Sequence, residues 1–516
     1  MSDPFYITTA IHYPNGRPHI GHAYEMIAAD AIARFHRQAG RDVFFQTGTD
    51  EHGLKMVKTA RDRGVEVRAL ADEMSGYFHE MAGELNISYD RFIRTVEPQH
   101  YAASQAIWIA MRDAGDLYLD RYEGWYSVRD EAFYEEKELT EGEGGVRLSP
   151  QGTPVEWTAE ETWFFRLSKY QQPLLDFYAV NPDFIQPESR RNEVLRFVEG
   201  GLTDLSVSRT SFDWGVPVPD SPGHVMYVWV DALTNYLTGA GYPETPNRYW
   251  PAALHLIGKD IVRFHAVYWP AFLMSAKLSL PKTVFGHGHV LARDGTKMSK
   301  SAGNVADPME LARLYGVDSL RYFLMRDVSF GQDGSFSDEA IVTRANSDLA
   351  NSFGNLAQRT LSFIAKNLEG ALPEDGRSDP ADAALLTTIG EAIDGYRTAF
   401  DELALGQALE AWMRGVFACN QYIDVQAPWA LRKTDPERMH AVLGTLVRAI
   451  RDLAIAIVPV VPTSAEALLT QLGQAGQGHD VLGKRDWYDD ARAAGFRIAP
   501  PTPIFPRLTI AETEPA

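Results

Sequence analysis

The sequence predicts an α/β protein in which a parallel sheet is interrupted by an inserted segment and followed by a helical bundle. Three observations carry that reading. A strand-like run from Phe5 to Ala10, a helix-like run ending at Gly40 and an apolar run from Asp42 to Gln46 make a βαβ unit, whose crossover is right-handed in a parallel sheet. Between Leu117 and about Pro222 the texture changes to Tyr, Trp, Glu and Gly, with turn-rich stretches at Glu138 to Pro154 and Val216-Pro217-Val218-Pro219, which marks an insertion. From Pro308 onward the pattern is almost wholly helical.

Composition bounds the function. At 516 residues the chain has room for roughly three domains. Its net charge of -20, from 49 Lys and Arg against 69 Asp and Glu, argues against sequence-independent coating of nucleic acid or of an anionic membrane. A local basic surface stays open. The single cysteine, Cys419, excludes an internal disulfide and a cysteine-based zinc site within one chain, and its apolar helical surroundings read as core. The start, Met1-Ser2-Asp3-Pro4, lacks the basic and apolar regions of a signal peptide. No run reaches the ~18 to 20 apolar residues that span a bilayer, so a cytoplasmic protein with no membrane association is expected.

The elements follow in order. The first helix carries an inner stripe of Ile27, Ala31, Ile32 and Phe35, and the second strand ends in the polar cluster Gly48-Thr49-Asp50-Glu51-His52-Gly53. Doubly wound sheets place their ligands at such strand C-termini. Asp50 there would either hold an ammonium group or cap the next helix. Helical patterns run from Leu54 to about Ala114. After the insertion come three strand candidates, Val225 to Val230, Ala253 to Ile257 and Thr283 to His289. They end in Trp229-Val230-Asp231, Gly258-Lys259-Asp260 and Gly295-Thr296-Lys297-Met298-Ser299-Lys300-Ser301. His287 and His289 would share one strand face, but no third ligand follows at a metal-site spacing, so no metal is assigned.

The stretch Pro18-His19-Ile20-Gly21-His22 stands where strand and turn give way to a helix N-terminus, a place where open N–H groups and the helix dipole attract phosphate. Neither GxGxxG after the first strand nor GxxxxGK[ST] anywhere is present, so dinucleotide and Walker-type readings lose their main support, and any phosphate donors here would be these two imidazoles, which by themselves read equally as a solvated first turn. A second cationic loop, Lys297 to Ser301, stands on the other half of the sheet.

This pair, His19-Ile20-Gly21-His22 with Lys297-Met298-Ser299-Lys300-Ser301, resembles the HIGH and KMSKS signatures of class I aminoacyl-tRNA synthetases, complete in both motifs. The contexts Ala10 to Gly16, Gly48 to Gly53, Tyr227 to Ala232, Ile257 to Asp260 and Phe264-His265 are similar to those of methionyl-tRNA synthetases over nearly the whole chain. The resemblance implies a Rossmann-like catalytic domain split by a connective insertion and followed by an α-helical anticodon-binding domain. The boundaries expected are 1–116 and 225–292 for the two catalytic halves, 117–224 for the insertion, 293–345 for the KMSKS loop and linking helices, and 346–516 for the anticodon domain.

It also implies roles. His19, His22, Lys297 and Lys300 would be catalytic, while Asn15, Gly21, Glu25, Gly258, Asp260, Met298 and Ser299 would bind ATP, which enters with Mg2+. Ile11, Tyr13, Trp229, Leu233, Tyr236, His265 and Tyr268 would form a methionine pocket, with Asp50 on the ammonium group; Leu233 stands where some members have proline. A thioether offers no strong hydrogen-bond handle, so shape and sulfur–aromatic contacts, each about 0.3 to 1.5 kcal/mol, must select it. Asn355, Arg359 and Trp429 would read the anticodon of tRNA(Met). The zinc knuckles of many relatives need cysteines that the insertion lacks, so no structural zinc is expected, and a monomer is expected because the chain stops soon after the helical run.

Two rival classes share parts of this pattern. Small nucleotidylyltransferases have an HxGH site but lack the long helical tract and generally the full second motif. A non-catalytic RNA-binding descendant would be expected to lose His19, His22 or Lys300, and all three are present.

Overall fold

The computed structural model describes residues 4–127, 132–244, 248–296, 298, 305–474 and 478–510. Its centre is a parallel sheet whose strands we number β1 (Pro4–His12), β2 (Asp42–Thr49), β3 (Arg91–Arg94), β4 (Ile185–Gln186), β5 (Leu254–Gly258) and β6 (Val284–His287). Their order is β3-β2-β1-β5-β6-β4. Helix α1 (Ile20–Gln38) crosses from β1 to β2, and its run of buried Ala23, Ala28, Ala29, Ala31 and Ala33 suits close packing on neighbouring elements. The strand order reverses between β1 and β5, in register Ile7↔Leu254 on one side and Ile7↔Phe45 on the other. That reversal opens a crevice at the strand C-termini, the usual ligand position of such sheets.

Three sequence expectations need correction. Only Val225–Met226 of the expected strand Val225 to Val230 is extended, pairing antiparallel with Ser208–Arg209; from Val228 to Gly239 the chain is a helix. Val230, Leu233, Tyr236 and Leu237 are all buried, and a short run that is apolar on every side shows no period that separates helix from strand. The helical tract from Leu54 to Ala114 is interrupted by β3, a four-residue edge strand in which Arg91 and Arg94 hide the apolar pattern. The inserted segment also supplies the sheet's β4, which pairs parallel with Val284 and Phe285 of β6, in addition to its own antiparallel pair Leu117–Ser127 and Glu156–Phe165.

Beyond the sheet, the helices Pro380–Asp401, Leu405–Gln426 and Pro436–Ile457 pack around Trp412, Leu446 and Ile450, all fully buried. Arg321, itself without exposure, locks this bundle to the sheet layer. Its guanidinium donates to Asp30 Oδ2 on α1 at 2.6 Å, to Leu85 O at 3.2 Å and to Val460 O at 2.9 Å. Among the described residues no helix is long and apolar enough to cross a membrane.

Candidate active site

At the mouth of the crevice α1 begins with His19 as its N-cap. His19 Nδ1 accepts from Gly21 N–H at 3.1 Å, and His22 Nδ1 accepts from His19 N–H at 3.1 Å, a reciprocal capping box built from two imidazoles. Because both Nδ1 atoms accept, each neutral ring carries its proton on Nε2 in the donor form. A Cβ on Gly21 would lie 2.9 Å from His19 Cε1, so glycine lets the His19 ring fold over the first turn. Behind His22 stands His12, its ring 5.0 Å away and stacked on Phe78; burial lowers its pKa and keeps it neutral.

The second motif's anchors reach this spot. Ile20 N–H, in the first turn of α1, donates to Ala306 O at 3.1 Å, and the strand Val290–Leu291 on the other side of the loop pairs with Gly334–Ser335. Lys297, Ser299 and Lys300 lie outside the described residues, whereas Met298 is half-buried and packs on the core.

Glu25 fixes the crevice from within. Between Thr8 and Ile11 the β1–β2 register shifts, and Ala10 N–H donates to Glu25 Oε1 at 2.9 Å. Glu25 Oε2 lies 2.8 Å from His287 Nε2, whose Nδ1 lies 2.7 Å from Gly288 O. One buried carboxylate thus ties β1 and α1 to the end of β6. Gly258 ends β5, and Asp260 beyond it bonds His289 Nε2 at 3.0 Å. His287 and His289 therefore serve two different carboxylates, and among the described residues no cluster of three or more His, Cys, Asp or Glu side chains could hold a metal. Asn15 lies in the turn before α1, its N–H bonded to Tyr13 O at 2.9 Å.

An aromatic cluster lines the other side. Trp229 stacks on Phe264 with centroids 3.9 Å apart, and Tyr236 Oη bonds His265 Nε2 at 2.7 Å. His265 Nδ1–H donates to Ile261 O at 3.0 Å, so Nε2 is the acceptor of the tyrosine hydroxyl. Burial lowers the His265 pKa to about 4, which keeps the pair neutral. Leu233 is buried on the same helix as Trp229 and Tyr236. The segment Phe264–Tyr268 is a π-helical turn, a local widening frequent at functional sites, and it turns Phe264 toward Trp229 and His265 toward Tyr236.

Not every expected pocket residue joins this cluster. Tyr268 lies against Phe264 on a neighbouring cavity, while Trp269, which sequence reasoning passed over, sits 6.1 Å from Tyr236 with no exposure. The π-turn shifts the face by one residue, a signal that spacing alone does not carry. Tyr13 accepts from Met56 N–H at 3.2 Å and packs with Met56, Leu70, Met74 and Trp214; Ile11, opposite Gly48, is half-buried. Asp50 is buried at the end of β2, its N–H bonded to His12 O at 2.9 Å rather than its side chain capping the helix that follows, whose N-cap is Gly53. Beside it His52 Nδ1 and His100 Nε2 each lie 2.6 Å from Asp231, an arrangement that neither His100 nor its neighbours announce in the sequence.

Far along the chain, Arg359 donates to Asp424 at 2.8 Å and stands 5.3 Å over the ring of Trp429, which is 47% exposed. Asn355 is exposed one turn earlier on the helix Asn355–Asn367. Ala427, at φ 42°, ends the helix Leu405–Gln426, and Pro428 opens the next, so Trp429 stands in the first turn of the helix Pro428–Thr434.

Residues 5–361 match the family described as tRNA synthetases class I (M), and residues 372–514 match the anticodon binding domain of methionyl tRNA ligase. The methionine–tRNA ligase of Brucella suis is 57% identical over 518 aligned residues, covering 99% of both chains, and that of Mycobacterium tuberculosis is 56% identical over 98% of both. The chain belongs to the methionine–tRNA ligase family. Its fold superimposes on the Mycobacterium tuberculosis methionyl-tRNA synthetase in complex with methionyl-adenylate with a TM-score of 0.92, at 55% identity, covering 98% of this chain and 100% of that one. The free-state structure of the same enzyme gives 0.86 at 52% identity, covering 99% of each chain. In this methionine–tRNA ligase family member the imidazole capping box opens the helix whose Glu25 ties β1 to the end of β6, and the helix Val228–Gly239 carries Trp229, Leu233 and Tyr236 of the aromatic cluster.

Proposed function

We propose that this chain activates L-methionine with ATP to methionyl-adenylate and pyrophosphate, and then transfers the methionyl group to the 3′ end of tRNA(Met) for translation initiation and elongation. The observation that carries the reading is the capping box of His19 and His22 at the sheet's reversal point, within the same crevice as the neutral Tyr236–His265 pair. A carboxylate attacking the α-phosphorus drives negative charge onto the α-phosphate oxygens and then onto pyrophosphate, and needs no covalent enzyme nucleophile. The Nε2–H groups of His19 and His22 receive the α-phosphate side; Lys297 and Lys300 receive the pyrophosphate. ATP enters as its Mg2+ complex, held by Asn15, Gly21, Gly258, Asp260, Met298 and Ser299, while Glu25, bonded to Ala10 and His287, shapes the floor beneath it.

Asp50 holds the amino group, and Trp229, Leu233, Tyr236 and His265, joined by Ile11, Tyr13 and Tyr268 at the rim, enclose the thioether. Trp269 supports the deep end through Tyr236. A neutral His265 suits this task, since a cation there would favour polar side chains over sulfur. At the far end Asn355 and Arg359 read base edges and Trp429 stacks on a base. The enzyme works in the cytoplasm and as a monomer. ATP–pyrophosphate exchange with each of the twenty amino acids and with homocysteine tests the reading: methionine alone should drive it strongly, with homocysteine as a weak side reaction. Exchange driven equally by leucine or valine overturns it.

A further inference from the structure

We infer that the cavity between the helices Pro380–Asp401 and Pro436–Ile457 and the loop 482–485 binds a small organic phosphate, a phosphate group carried on one apolar ring. The cavity has a volume of about 290 Å³. Its charged lining is Arg397, Arg448, Lys484 and Arg485 against Asp394 and Asp452, over a floor of Leu386, Ile393 and Leu482. No residue assigned above to methionine, ATP or the anticodon is among its described lining, so the site stands apart from methionine activation.

Charge is the first argument. In a chain of net charge -20, four cations surround one hollow, and the carboxylates beside them already have partners. Asp452 Oδ1 accepts from Arg451 at 2.6 Å, Asp394 lies 3.8 Å from Arg397, and Asp375 is shared by Arg485 and Arg492. Arg448 donates only to neutral groups, Gly444 O at 3.2 Å and Thr445 Oγ1 at 3.5 Å, and among the described residues neither it nor Lys484 forms an ion pair. Burial, and then the like charge of Arg485, lower the Arg448 pKa, so a bound dianion would relieve a repulsion that the protein leaves standing. The fork of a guanidinium and the point charge of an ammonium are together suited to phosphate oxygens.

Shape is the second. Small-molecule sites run from about 300 to 1,000 Å³, so this one lies at the small end and suits a phosphate with a single ring. Leu386, Ile393 and Leu482 give that ring an apolar bed, which a bare phosphate would not use. The walls are set before anything binds. Gly483 N–H donates to Asp452 Oδ2 at 3.0 Å, and Arg485 Nε donates to Asp489 at 3.3 Å, which fixes the loop carrying Lys484 and Arg485 against the bundle. Gly390 leaves one side open, since a Cβ built there meets nothing within 4 Å.

Isothermal titration of the full chain with phenyl phosphate, in buffer free of phosphate and sulfate, tests the site. One phenyl phosphate should bind per chain, and more tightly than inorganic phosphate. Arg448→Gln should raise the Kd for both at least about tenfold, the effect of one charge-assisted pair. Lys484→Gln, at an exposed position, should raise it about threefold and keeps the test open should the first variant not fold. Gly390→Leu alters no cation and fills open space, so it should weaken phenyl phosphate while leaving inorganic phosphate within about twofold. ATP–pyrophosphate exchange by Arg448→Gln should stay within about twofold. No binding by the unaltered protein, unchanged binding in both Arg448→Gln and Lys484→Gln, or loss of binding in Lys300→Ala, which would put the probe in the crevice, overturns the site. So does an Arg448→Gln variant whose only defect is in binding tRNA, since its cation would then face an RNA backbone.

Discussion

His52 Nδ1 and Asp231 Oδ2 stand 2.6 Å apart with neither side chain exposed, and His100 Nε2 lies 2.6 Å from the other carboxylate oxygen. His52 follows Asp50 by two residues, and Asp231 sits on the helix that carries Trp229, Leu233 and Tyr236, so this bond clamps the end of β2 to the helix of the aromatic cluster. Burial alone would raise the Asp231 pKa, but His52 and the hydrogen bonds from both rings outweigh it and hold the carboxyl below its usual range. Its stabilising contribution is present above that ordinary range and is lost as pH falls through the depressed value.

Asp231→Asn should therefore act on methionine rather than on ATP. In exchange assays the KM for methionine should rise about tenfold while that for ATP stays within about twofold, and the variant should lose about 3 to 5 kcal/mol of stability, the usual cost of breaking a buried pair. Equal shifts in both constants would show that the triad does not position the amino-acid side.

Acid should destabilise the fold through its buried histidines. Burial lowers the pKa of His12, His255 and His265, the last to about 4. An unfolded chain takes up protons near pH 6.5 that these folded rings refuse, so stability present above that pH is lost as pH falls below it. His265 alone should contribute a loss of about 2 kcal/mol between pH 7.5 and 5. Urea titrations of the protein and of His265→Gln check this, the variant showing a shallower dependence; identical midpoints at both pH values would contradict it.

The two ends of the molecule should separate kinetically. On the proposed reading, in which Lys300 receives the departing pyrophosphate, Lys300→Ala should slow activation far more than it weakens methionine binding. Trp429→Ala, which removes the ring beneath Arg359, should leave exchange intact and lower tRNA charging about 10- to 100-fold, the effect of one stacked base. A folded Trp429 variant that loses exchange and charging together would remove the anticodon assignment.

Arg321 makes a different demand. Replacing it with Met leaves Asp30 with Arg34 and Ser88 but strands Val460 O and Leu85 O, so Arg321→Met should cost about 3 kcal/mol in thermal or urea unfolding. Asp30→Asn combined with Arg321→Met should cost less than the sum of the two single changes, as expected for groups in direct contact.

Local patterns determined a great deal of this protein. The βαβ start, the texture change at the insertion, the helical tract and the two short cationic and imidazole motifs are all written in runs of neighbouring residues, where periodicity, turn chemistry and residue type act over a few positions. The same is true of Gly21, whose missing side chain makes room for His19 two residues away.

Tertiary structure alone decided where those pieces meet. That residues 185–186 complete the sheet, that Val228 to Gly239 is helix, and that His52, His100 and Asp231 share one carboxylate depend on contacts between positions far apart in the chain. Trp269 rather than Tyr268 faces Tyr236 because one extra residue in a π-turn rotates the helix face, and no count of intervening residues reports that rotation. Buried polar groups must find partners wherever the fold offers them, so their pairing is a property of the packed whole.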